Sequence, residues 1–112
     1  MIEFALTPLT LVLAQIADER DRQDAKWGPQ NHPDGTNLNN DGWREHARTL
    51  CQTAAREGRV TWAHILQEEF VEALAEVDPE KLRAELVQVG AVVVAWIEAI
   101  DRRALAKGGS RG

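Results

Sequence analysis

Polar and apolar positions along the chain fall into four runs of helical period, broken by one long stretch without period. Leu9, Val12, Leu13 and Ile16 recur at spacings of three and four, which marks one face of a helix. Thr7 before Pro8 is its start: a capping hydroxyl, then proline at the first helical position, where a missing N–H is tolerated. The segment runs to about Lys26, where Trp27-Gly28-Pro29 stops it. Residues 28–40, GPQNHPDGTNLNN, are rich in Gly, Pro, Asn and Asp and predict a loop. It is long for so small a domain, which hints at use. A cap at Asn40 or Asp41 opens a second helix through Arg56, ended by Gly58. Thr61 caps a third, from Trp62 to about Val77, and Asp78-Pro79 starts a fourth that reaches about Leu105.

One stretch is ambiguous. VGAVVVAWI, residues 89–97, has the β-branched content of a buried strand. No turn signal bounds it, and apolar spacing continues in helical register from Leu82 to Ile100, so it reads as helix. The expectation is an all-α protein: a four-helix antiparallel bundle with short connections after the first loop. Residues 1–107 form its single domain, and residues 108–112 a disordered tail.

Composition narrows the picture. A chain of 112 residues with 44% hydrophobic content makes one domain with a real core. Such a domain buries only about two-thirds of its unfolded surface, so a partner subunit would help. A net charge of −5 argues against gripping a nucleic-acid backbone, though not against a nucleotide bridged by metal. Cys51 is the single cysteine, so no intrachain disulfide forms, and a reducing, cytoplasmic setting is the simple expectation. The start MIEFALTPLTLVLAQIADER has an apolar run but no basic stretch before it, and Pro8 and the charges from Asp18 onward cut it short. Neither a signal peptide nor a membrane span fits.

The candidate chemistry lies in QEEFVEALAEVD, residues 67–78. At about 100° per residue, Trp62, Ile65, Leu66, Ala73 and Val77 lie within about 80° of Glu69, so Glu69 sits inside the apolar stripe. Glu72 and Glu76 lie on its edge, within about 60°, and Glu68 about 40° beyond Glu72. In the fourth helix Val89, Val92, Val93, Trp96 and Ile100 fall within about 80° of Glu85, with Gln88 about 60° further round. Several carboxylates near a core repel one another and are costly to desolvate. Neither stripe offers Arg or Lys. A divalent cation is the economical partner, and hard carboxylate oxygens suit magnesium or manganese. Read alone, Glu68-Glu69-x-x-Glu72 is also the pattern of an ordinary solvated acidic face.

Glu68-Glu69-x-x-Glu72, a gap of 12 residues, then Glu85-x-x-Gln88 resembles the E-E-x-x-E … E-x-x-D signature of the MazG-like, all-α nucleoside triphosphate pyrophosphohydrolases. The run ERDRQDAKWGPQNHPDGT, residues 19–36, is similar to the opening of small MazG-related proteins of actinobacteria and their phages. The resemblance covers about residues 15–103. It implies a helical bundle that forms a homodimer or a dimer of dimers. It also implies magnesium-dependent cleavage of the α–β phosphoanhydride of a nucleoside triphosphate, giving monophosphate and pyrophosphate. Glu69, Glu72, Glu85 and Gln88 take the metal-ligand positions, with Glu68 a ligand or orienting group. Gln88 departs from the pattern, which has Asp there. One charge fewer holds additional metals less well. The alternatives are catalysis with an altered metal count, or a catalytically weak nucleotide-binding or sensing module. A non-enzymatic helical interaction protein is the reading if the acids are merely surface. Glu98 and Asp101 repeat the E-x-x-D spacing but point away from the Glu85 side and read as solvent-facing.

Glu69, in the most enclosed position, is the candidate for bridging ligand or base, with Glu68 the alternative. Four tryptophans with no tyrosine is unusual usage. Trp62 and Trp96 read as core; Trp43 and Trp27 are candidates to stack a base, Trp27 equally to pack its loop. Lys26, Arg22 and Arg44 are candidates to reach phosphates, with surface solvation the ordinary role for any one of them. His32 and His46 lack partners at zinc-ligand spacing. His64, one turn before Glu68, orients it or caps its helix, and Cys51 reads as buried filler.

Overall fold

In the computed structural model, which describes residues 6–108, the chain is all helical: α1 (Pro8–Trp27), a 3-10 turn (Leu38–Asn40), α2 (Asp41–Arg56), α3 (Trp62–Ala75) and α4 (Pro79–Gly108). The described residues contain no strand, and residues 89–97 are helix. None of these helices is long and apolar enough to cross a membrane. Gly108 closes α4, and the rest of the expected tail lies outside the described residues, as do residues 1–5 of the apolar start.

Local chemistry accounts for the boundaries. Thr7 and Thr10 cap α1 reciprocally, each hydroxyl accepting the other's backbone N–H at 3.1 and 2.8 Å. Gly28 ends α1 at φ 66°, its N–H donating to the Asp24 carbonyl at 2.8 Å. Gly58, φ 72°, ends α2: its N–H donates to Ala55 O at 3.1 Å and that of Arg59 to Ala54 O at 2.8 Å, closing the last carbonyls of the helix. Thr61 and His64 form a second reciprocal cap at the start of α3. The third helix stops at Ala75 rather than near Val77. Pro79 disfavours helical backbone at Asp78, and Glu76 is already extended at φ −90°, ψ 123°. Asp78 is then free to cap α4, accepting the Lys81 N–H at 3.0 Å. Val77, expected in the apolar stripe, is left 49% exposed.

Two compact units emerge. One comprises Asp34–Val93, with α2, α3 and the first half of α4; the other joins the chain up to Pro33 with that from Val94 onward. In the first, α2 packs on α3, and the buried side chains are small: Ala47, Cys51 and Ala54 of α2, with Ala54 wholly buried, and Val71, Ala73 and Ala75 of α3. Small residues let helix axes approach closely. Asn40 holds the N-cap position of α2 but does not cap it; its amide donates to Leu74 O at 2.9 Å, beside the Asn37 N–H at 3.0 Å on the same carbonyl. Carbonyls in the last turn of a helix lack intrahelical donors, which is why the loop end docks there. In the other unit Val12 and Val94 are buried, while Leu9, Leu13 and Ile16 remain exposed. The expected α4 core face, Val89, Val92, Val93 and Trp96, is only half-buried, and Ile100 is exposed.

Candidate metal centre

Helix α3 carries Glu69 and Glu72 three residues apart, and α4 brings Glu85 to them. One carboxylate oxygen from each lies within 4.8 Å of the others, and all three residues are half-buried. Glu69 Oε2 and Glu85 Oε2 are buried with no hydrogen-bond partner. Burial, first, and then repulsion from Glu72, Glu85 and Glu68 push the Glu69 carboxyl above the usual carboxylate range. Glu85 is raised by burial, then by Glu72 through charge and hydrogen bonding and by Glu76, against an opposing pull from Arg44. The trio has the donor chemistry of a hard-cation site. Oxygens around magnesium, at about 2.1 Å from it, are about 3 Å apart when adjacent and about 4.2 Å when opposite.

Basic partners arrive from a third element. The stripes of α3 and α4 indeed lack them, but α2 supplies Arg48, whose Nη2 is 3.3 Å from Glu72 Oε1 and Nη1 3.4 Å from Glu45 Oε1. The expectation that no basic side chain stands beside the acids is therefore corrected. Helical wheels of α3 and α4 cannot register a side chain from a neighbouring helix. Arg44, one turn earlier, is tied to Asp41 at 2.7 Å and acts on Glu85 through space. Arg48 is a residue of the site that the helical patterns of α3 and α4 do not reveal. Its signal is the i, i+4 spacing of Arg44 and Arg48 along one border of the buried Ala47–Cys51–Ala54 stripe.

The remaining candidates divide. Glu68 lies beside the trio and interacts with Cys51; burial first, and then the hydrogen bond to Glu68, push the thiol up to about 11, so Cys51 is protonated and unreactive at neutral pH. Gln88, one turn beyond Glu85, is exposed. His64 caps α3, its Nδ1 accepting from the Thr61 N–H at 3.1 Å. Trp43, 64% exposed, lines an apolar groove of about 400 Å³ with His46, Ala47, Gln67, Phe70, Val71 and Leu74. Gln67, Phe70, Val71 and Leu74 centre about 160° around α3 from the acids, so groove and acids flank the α2–α3 seam on opposite sides. Arg22, Lys26 and Trp27 belong to the other unit: Arg22 pairs with Glu19 at 2.8 Å, and Lys26 stands 4.9 Å over the exposed Trp27 ring. His32 Nε2 is 3.2 Å from Gln30 Oε1. Trp62 and Trp96 are half-buried, as are Glu98 and Asp101, which are thus not the fully solvated pair expected.

Comparison with protein-family models, curated proteins and solved structures finds no match to this chain.

Proposed function

We propose that this protein is a metal-dependent nucleotide pyrophosphohydrolase of the MazG-like kind. It would cleave the α–β phosphoanhydride of a nucleoside triphosphate to monophosphate and pyrophosphate. The observation that carries the reading is the trio Glu69, Glu72 and Glu85, with oxygens within 4.8 Å and two buried oxygens left without partners. Carboxylate oxygens buried without a partner are costly, and a bound cation is one way of completing them. Glu69, Glu72 and Glu85 would hold magnesium, or manganese in its place, which would supply charge neutralisation for a polyphosphate and lower the pKa of an attacking water. Glu69 and Glu68 are the candidates for proton acceptor. Glu68 is engaged with Cys51, which favours Glu69 for that role. The resemblance of Glu68-Glu69-x-x-Glu72 and the residue 19–36 run to the family supports the nucleotide as substrate.

The finer architecture belongs to the same proposal: an antiparallel four-helix bundle completed as a homodimer or dimer of dimers in the cytoplasm. Exposed Leu9, Leu13, Leu86 and Val87 and the thin alanine-rich core support self-association. One observation favours a second reading. Gln88 is neutral and exposed where the resemblance expects an acid, which suits a nucleotide-binding module with weak turnover.

The test is pyrophosphate release over a panel of nucleotides with magnesium or manganese. Turnover lost in Glu69→Gln and Glu85→Gln supports the enzyme. Metal-dependent nucleotide binding without release supports the binding module, and neither binding nor release sinks both.

A further inference from the structure

Arg48 is the only basic side chain ion-paired with a member of the acid trio among the described residues. Its two contacts, 3.3 Å to Glu72 on α3 and 3.4 Å to Glu45 on its own helix, are long beside the 2.7 Å of Arg44 on Asp41 or Arg20 on Asp24. Charge-assisted bonds between a guanidinium and a carboxylate normally close to about 2.7–2.9 Å. Arg48 is thus shared loosely by two acids instead of being locked in a fork. Its side chain is 37% exposed and that of Glu72 20%, so the guanidinium stands at the solvent border of the trio.

We propose that Arg48 is a built-in counter-ion that Glu72 exchanges for a divalent cation, and that the guanidinium so released receives the phosphate of an anionic ligand. The inference rests on the reading of the trio as a cation site. A guanidinium and a divalent ion on one carboxylate repel each other, so cation binding weakens the Arg48–Glu72 contact. Glu45 keeps its own hold on Arg48 and retains it at the border. There its five donors match the oxygens of a polyphosphate, with two bonds in parallel. Binding of cation and of anion are coupled by the same residue, each favouring the other.

The experiment measures manganese binding without anion, then pyrophosphate binding at saturating manganese, by calorimetry on the full chain. Arg48→Gln is expected to bind manganese about tenfold more tightly, the scale of one unit charge beside a divalent ion under near-aqueous screening, and pyrophosphate about tenfold more weakly. Arg48→Lys, which keeps the charge, stays near wild type for manganese. Glu45→Gln, a change at an exposed side chain that spares the fold, leaves Arg48 to Glu72 alone and weakens manganese binding several-fold. Weaker manganese binding in Arg48→Gln would mean that Arg48 merely props Glu72, and unchanged pyrophosphate binding would remove the anion role; either overturns the proposal. Wild type that binds no manganese would overturn the cation site itself, a separate result.

Discussion

Glu69→Gln should reverse its effect on stability according to whether metal is present. In the metal-free protein Glu69 Oε2 is buried without a partner, and Glu72, Glu85 and Glu68 all repel the charge. A buried polar atom left unsatisfied costs about 1–3 kcal/mol. The glutamine amide recovers only part of that, so a gain of about 1 kcal/mol is expected in chelator. For a domain of this size that raises Tm by about 4–5 °C. With metal at 100 times its Kd, wild type gains about 2.7 kcal/mol by preferential binding to the folded state, and the variant, lacking a ligand, gains far less. The two melting curves should therefore cross: the variant is the more stable in chelator and the less stable in millimolar manganese. Thermal denaturation followed by circular dichroism in both buffers reads this directly. A variant less stable than wild type in chelator would refute the claim that the trio is under electrostatic strain. Parallel shifts in both buffers would refute Glu69 as a ligand.

The pH dependence has a defined sign. Glu69 and Glu85 have carboxyls raised by folding, so their ionisation opposes the folded state. The stability they contribute is fully present below the unfolded carboxylate range and is lost as pH rises through their raised values. The metal-free Tm of wild type should climb as pH falls from neutral toward that range, and Glu85→Gln should flatten the climb. Gln88→Asp adds a charge one turn from Glu85; at an exposed position the repulsion costs no more than about 0.5 kcal/mol without metal. It should tighten manganese binding if this position reaches the cation, whereas unchanged affinity by calorimetry would put it out of reach. Sedimentation equilibrium at tens of micromolar should show a dimer or larger, and a monomer would count against completion of the bundle by a second copy.

Short-range physics made much of this protein legible in its sequence. Thr7-Pro8, Gly58, Thr61 and Asp78-Pro79 act within one turn of themselves, so α1 and α2 begin and end within a residue of expectation, and α4 starts where proline permits. Helical period alone put Glu69 inside the apolar stripe of α3 and Glu72 on its edge, because neighbours three apart share a face. It also marked Glu85 as a carboxylate beside an apolar stripe. What periodicity cannot do is say which faces of different helices meet. That Glu85 closes on Glu72, that Arg48 reaches across from α2, and that Trp43 stands on the far flank of the seam from the acids were all decided by packing. So were the use of Asn40 as a donor to Leu74 and the exposure of Val77. These contacts join residues far apart in the chain, and their geometry depends on how closely the small side chains of the α2–α3 seam let two helices approach.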